Sequence, residues 1–140
     1  MFYGVAALNL DVKGRMTIPV RYRDHLSQEK QSHNLALVES DEGCLLLMKY
    51  SMWSEKVNYL SKSGTEAQRR FWIGLSDTPE LDKLGRVLIN SVLREGAAIK
   101  KEIVLLGVGE YLEIWDSLRL EKHKSALRDK RLNTGANLSG

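Results

Sequence analysis

The spacing of apolar and polar positions divides the chain into short strands and short helices. "YGVAALNL" (residues 3–10) reads as an opening strand. After a turn, Met16 and Ile18 alternate with Arg15 and Thr17, so one face points to a core and the other away from it. "VRYRDHL" then predicts a short helix, with Pro19 in its first turn, where a missing amide hydrogen costs nothing. "LALVESDEGCLLLM" predicts two strands joined by a turn at Gly43. Trp53, Val57 and Leu60 recur at i, i+4 and i+7 on a helix that Ser51 can cap. A second helix follows "SGTEAQ", in which Thr65 and Gln68 have the spacing of a capping box. Ala67, Phe71 and Leu75 form its apolar side, Arg69 and Arg70 face outward, and Pro79 closes the segment. Residues 117–131 predict a last helix, with Leu120, Ala126 and Leu127 inward and basic residues outward. The final nine residues, "LNTGANLSG", read as a frayed end.

Part of this pattern occurs twice. With an offset of 71, Asp11 aligns with Asp82, Gly14 with Gly85, Arg15 with Arg86, Ile18 with Ile89 and Arg23 with Arg94. The shared motif is D-x-x-G-R-x-x-I-x-x-x-x-R, and "EIVLLGVGEYLEIW" answers "LALVESDEGCLLLM" downstream. "GVGE" at 107–110 reads as the turn of the second hairpin, and Asn90 and Ser91 as caps of the second short helix. Neither copy, at roughly 45 residues, is large enough to bury a stable core alone. Strands of one copy are therefore expected to pair with strands of the other around a pseudo-twofold axis. The expected divisions are a first repeat over residues 5–52, a helical insert over 53–78, a second repeat over 79–122 and a basic helix end with its tail over 123–140.

Within each motif, Asp can accept hydrogen bonds from backbone amides ahead of it and Gly can take a positive φ, so Asp11–Gly14 and Asp82–Gly85 predict tight reversals. Charge follows the repeats. The net charge of +3 divides into +2 for residues 1–24, +2 for residues 80–101 and +4 for residues 119–140, which leaves −5 for the rest. This distribution suits an anionic partner such as nucleic acid, although basic helix faces are commonly just solvated.

Other classes find little support. The single cysteine, Cys44, lies in an apolar run; it excludes a disulfide framework and fits a reduced cytosolic setting. The opening residues lack the basic start of a signal peptide, and no run approaches the roughly 18–20 apolar residues of a membrane span. His25, His33 and His123 are scattered, and no H-E-x-x-H, C-x-x-C or G-x-S-x-G motif occurs, so neither an enzyme nor a cofactor or metal site is expected. Trp53, Trp72 and Trp115 fall on apolar stripes or at a strand end, where packing in the core or at a protomer interface is expected rather than base stacking.

The first copy, "NLDVKGRMTIPVRYR", resembles the SpoVT/AbrB type of swapped-hairpin DNA-binding domain. Two such copies in one chain, opening with "MFYG" and separated by a helical insert, resemble the MraZ family of transcriptional regulators over residues 1 to about 127. The second copy, "LDKLGRVLINSVLR", departs by placing Leu84 where the first has Lys13. The resemblance implies an α+β fold, a double-psi or swapped-hairpin β-barrel formed by two pseudo-symmetric repeats with added helices. It also implies a cytoplasmic, nucleoid-associated regulator of the division and cell-wall gene cluster. Such a protein would form a ring-like homo-oligomer and bind double-stranded DNA at short direct repeats upstream of its own operon, with no membrane or small-molecule partner.

For the site, Arg is the side chain whose planar fork can donate to guanine O6 and N7 together. Arg15 and Arg86 are thus the expected DNA contacts, with Lys13 and Lys83 assisting, Asp11 and Asp82 angling the guanidinium groups, and Gly14 and Gly85 shaping the turns. The simpler alternative is that each Asp–Arg pair only braces a hairpin. Arg21, Arg23 and Arg94 are as well suited to ion pairs with neighbours as to phosphate. A protein-binding, antitoxin-like role or a general nucleoid role are the alternative functions.

Overall fold

The computed structural model describes residues 1–27 and 34–133, with side chains described as far as residue 130. It is a mixed α+β structure with five α-helices, a six-stranded antiparallel sheet and a two-stranded ribbon. The strands of the large sheet are β1 (Phe2–Asn9), β3 (Leu35–Glu39), β4 (Leu45–Lys49), β5 (Ser76–Asp77), β7 (Glu102–Gly109) and β8 (Leu112–Asp116), in the order β1-β7-β8-β4-β3-β5. The ribbon pairs β2 (Arg15–Thr17) with β6 (Arg86–Leu88). Helices α1 (Val20–Leu26) and α4 (Ser91–Gly96) follow the ribbon strands; α2 (Tyr50–Ser63) and α3 (Glu66–Arg69) lie between the repeats, and α5 (Ser117–Asn133) comes last.

Strand pairing is exchanged between the copies. β1, which leads into the first Asp motif, pairs along its length with β7 of the second copy, from Phe2 opposite Gly109 to Asn9 opposite Glu102. The segment leading into the second Asp motif answers this on the first copy: β5 pairs with β3, the Leu35 amide donates to the Pro79 carbonyl, and Asn34 bridges Glu80. The hairpins β3–β4 and β7–β8 then join edge to edge through β4 and β8, Leu45 opposite Ile114. The expected interdependence of two undersized copies takes this form.

The runs "LALV" and "LLLM" are apolar at every position because the sheet is covered on both faces there. Leu35, Leu37, Leu45 and Leu47 point into one core with Met16, Ile18, Val87 and Ile89 of the ribbon. Ala36, Val38, Cys44, Leu46 and Met48 point to the other, which Trp115 and Leu120 complete and on which Trp53 and Trp72 pack. The tryptophans therefore serve packing, as their positions predicted.

Several local expectations need adjustment. Helix α2 starts at Tyr50, with Lys49 rather than Ser51 at the N-cap position. The Thr65–Gln68 capping box forms, but the helix it opens is only four residues long and runs into a π-helical turn over Arg70–Gly74, so Ala67 is exposed rather than on an apolar side. "GVGE" is mostly strand: β7 continues to Gly109 and the turn falls at Glu110–Tyr111. On α5 Leu120 is buried, whereas Leu127 is 53% exposed and Ala126 is exposed too, because the helix outruns the body that would cover them. Of the final nine residues, Leu132 and Asn133 continue α5 and 134–140 lie outside the described residues.

Candidate nucleic-acid interface

The first Asp motif folds around one carboxylate. Asp11 Oδ1 accepts the amides of Lys13 and Arg15, each at 2.9 Å, and Oδ2 accepts Arg15 Nε at 2.7 Å. The Gly14 amide donates to the Asp11 carbonyl and the Asp11 amide to the Arg15 carbonyl, which closes the reversal. Gly14 adopts φ +85°, a conformation that disfavours any residue with a Cβ. The second motif repeats the arrangement: Asp82 accepts the amides of Leu84 and Arg86 and, at 2.8 Å, Arg86 Nε, while Gly85 has φ +78°. Both aspartates are held below the ordinary carboxylate range, chiefly by the Arg15 or Arg86 amide and further by the guanidinium and the Lys13 or Leu84 amide, against a smaller burial effect.

Nε of each guanidinium is engaged, and among the described residues no hydrogen bond from its outer Nη pair is found. Arg15 and Arg86 are part-exposed on one face of the ribbon, where Arg15 stands opposite Leu88 and Thr17 opposite Arg86. Met16 and Val87 are fully buried on the other face. Thr17 and the half-exposed Leu88 thus share the arginines' surface, although nothing beyond the alternation of "RMTI" pointed to them. Lys13 and Lys83 are exposed at the loop tips. Beside them stand Val12, fully exposed, and Leu84, 64% exposed, so each tip carries one lysine and one apolar residue in opposite order.

The short helices hold these loops crosswise. The Ile18 amide donates to the Gly85 carbonyl and the Ile89 amide to the Gly14 carbonyl. Arg94 of α4 donates from Nε to the Ile89 carbonyl and lies on Gly14, where an added Cβ would meet its Cζ at 2.8 Å. Arg23 of α1 donates to the Ile18 carbonyl and packs on Gly85 still more closely. Arg21 instead donates to the Val5 carbonyl and the Tyr22 hydroxyl. Ion pairing, one of the two roles open to these three, is not what they do here: among the described residues each binds backbone oxygen and none meets a carboxylate. The repeated Arg at motif position 13 was the available signal for this role, but its reach to the opposite loop depends on the exchange of strands.

The described histidines pack on aromatic rings, His25 edge-on against Phe2 and His123 tilted against Trp115, while His33 lies outside the described residues. Among the described residues no helix is long and apolar enough to cross a membrane.

A family model described as "MraZ protein, putative antitoxin-like" matches residues 1–71 and 73–136. This chain belongs to the MraZ family. Relatives named "Transcriptional regulator MraZ" include that of Herminiimonas arsenicoxydans, 36% identical over 127 residues and 89% of each chain. That of Paraburkholderia phytofirmans is 40% identical over 120 residues, 84% of this chain and 83% of its own. That of Cupriavidus taiwanensis is 39% identical over 119 residues with the same coverage. The MraZ match spans both Asp motifs and the helices between them.

Proposed function

We propose that this chain is a transcriptional regulator that binds double-stranded DNA through the β2–β6 ribbon. Its two repeats form the swapped-hairpin barrel of SpoVT/AbrB-type domains, and several protomers assemble into a ring-like homo-oligomer. The ring offers loops to short direct repeats upstream of the chain's own operon, in the division and cell-wall gene cluster, within the nucleoid of the cytoplasm. The observation that carries this reading is the pair Arg15 and Arg86, set on one outward face with Nε bound to Asp and, among the described residues, no hydrogen bond from the Nη pair. A two-stranded ribbon fits the major groove, and an arginine fork is the side chain suited to guanine there.

The members of the site have distinct parts. Arg15 and Arg86 read base edges, Lys13 and Lys83 meet phosphate or base edges, and Asp11 and Asp82 fix the angle of each fork. Gly14 and Gly85 admit the turn and the covering arginine. A single protomer offers only two small heads, so assembly raises the effective concentration of the second and later contacts along a repeated site. The reading agrees with the name of the MraZ relatives.

An electrophoretic shift on DNA upstream of the chain's own gene, against a repeat-scrambled control, tests it. Arg15→Ala is expected to abolish the preference for the repeats while oligomer size stays unchanged; unaltered repeat-specific binding overturns the assignment. Equal binding to both DNAs favours a general nucleoid role. Absence of any shift favours the protein-binding role that the antitoxin-like family description leaves open.

A further inference from the structure

Helix α5 is longer than the body it packs on. Its 17 residues span about 25 Å, yet among its described side chains Leu120 is the last buried one and positions 125–130 are all exposed. The helix carries a net charge of +4. Lys124, which is half-buried and pairs with Glu121 at 2.8 Å, and the exposed Leu127 and Arg128 fall at i, i+3 and i+4 and therefore share one face, an apolar side chain between two cations.

A groove of about 310 Å³ elsewhere on the protein has the complementary character. Its rim holds four carboxylates, Glu39, Asp41, Glu42 and Glu113, with no basic lining residue among those described. Its apolar side is formed by Phe71, Trp72 and Tyr111. Phe71 and Trp72 lie on the π-helical turn, whose widened backbone leaves the Trp72 carbonyl to accept the Trp53 indole at 2.8 Å. π-turns interrupt helices most often where a site is built. Arg119, near the start of α5, lies on Gly43 of the acidic turn, but among the described residues none of α5 lines the groove and 125–130 are exposed.

We propose that the distal half of α5 docks in the acidic aromatic groove of a second copy of this chain, Leu127 against Phe71, Trp72 and Tyr111, and Lys124 and Arg128 toward Glu39, Asp41 and Glu42. A buried apolar anchor ringed by complementary charge is the arrangement that concentrates binding energy in an interface. Arm and groove lie on the same chain but do not meet within it, so the contact is heterologous and propagates from copy to copy. This inference rests on the self-association proposed above, but it assigns the basic arm to protein rather than to DNA.

Sedimentation of the full chain without DNA, across salt concentrations, tests the contact. Assembly is expected to weaken as salt rises, and Leu127→Asp or Arg128→Glu to weaken it by roughly tenfold or more. The reversal Asp41→Lys with Glu42→Lys should do the same alone and restore assembly when combined with Arg128→Glu. Should a reversal variant fail to fold, a mixture of chains carrying Ala67→Cys with chains carrying Leu127→Cys should still form a disulfide between chains. An assembly unchanged in size after removal of residues 124–140 overturns the contact and leaves self-association standing. The same holds if that removal only flattens the salt dependence of DNA binding. A wild-type chain that is monomeric at every concentration overturns both, and an Ala67→Cys/Leu127→Cys chain that closes its disulfide internally overturns the contact.

Discussion

Arg23, from the helix of the first repeat, lies on Gly85 in the loop of the second, and its Nε donates to the Ile18 carbonyl at 2.7 Å. One side chain thus covers a positive-φ glycine and ties down the strand that pairs beside it. Gly85→Ala is expected to cost about 1–3 kcal/mol of stability from the backbone conformation alone, and more because its Cβ must displace Arg23. Gly14→Ala should cost less, since Arg94 stands farther off. Gly74→Ala, where an added Cβ meets open space, should be near neutral. Urea unfolding of the three variants gives the ranking; equal losses at Gly85 and Gly14 would show that the closer packing of Arg23 adds nothing to the backbone cost.

The two tips carry equal charge at different positions. Leu84→Lys adds a second lysine to the second tip, at the position Lys13 holds in the first, and one added phosphate contact should steepen the dependence of log affinity on log salt by about 0.9. Arg15→Lys keeps the charge and removes the fork, so the slope should hold while preference for the intact repeats falls roughly five- to hundredfold. A titration series in salt separates the two effects, and a preference for the repeats left intact by Arg15→Lys would place Arg15 on phosphate.

Acid should open the loops late. Amide hydrogen bonds, first of all from Arg15 and Arg86, favour the ionised forms of Asp11 and Asp82 and depress their folded-state pKa. The stabilisation is therefore fully present above the ordinary aspartate value and is lost as pH falls through the depressed folded values. Carboxyl titration by NMR should find both aspartates protonating below the ordinary aspartate range, with DNA preference lost over the same interval. Midpoints at the ordinary aspartate value would mean that the loop bonds do not persist in solution.

Cys44 should be inert. Burial pushes its thiol up to about 12, and Ser40 Oγ is its close polar neighbour at 3.2 Å. In the native protein at neutral pH a thiol reagent should leave it untouched, and in denaturant label it fully. Prompt native labelling would reveal opening of the β3–β4 hairpin.

Local geometry was legible in the letters wherever a residue acts on its own neighbourhood. The Asp and Gly of each motif imply the reversal; the Asn90 side chain caps α4 by accepting the Leu93 amide, and Gly43 takes the positive φ that the first hairpin turn requires. The mix of short strands and helices followed from the spacing of apolar positions, and the pairing of one copy's strands with the other's from copy size. Contacts between distant segments were not legible. Arg23 and Arg94 look like ordinary helix cations until the exchange of strands brings a foreign glycine beneath each. The π-turn likewise has no sequence signature, because "EAQRRFWIG" keeps a helical look while its backbone widens. The acidic aromatic groove depends on that turn, and so it too was hidden.

The exchange of strands between the copies carries one more consequence. In a dimer of identical chains both reading heads change together, and the pair can tell only inverted from non-inverted sites. Here a peptide linkage holds the halves at fixed spacing whatever the concentration, and each is free to drift. Lys13 against Leu84, and Val12 against Lys83, are such drift. Under the DNA-binding reading proposed above, two unlike loops give the protomer a front and a back, and a binder with polarity can follow a sequence repeated in one direction.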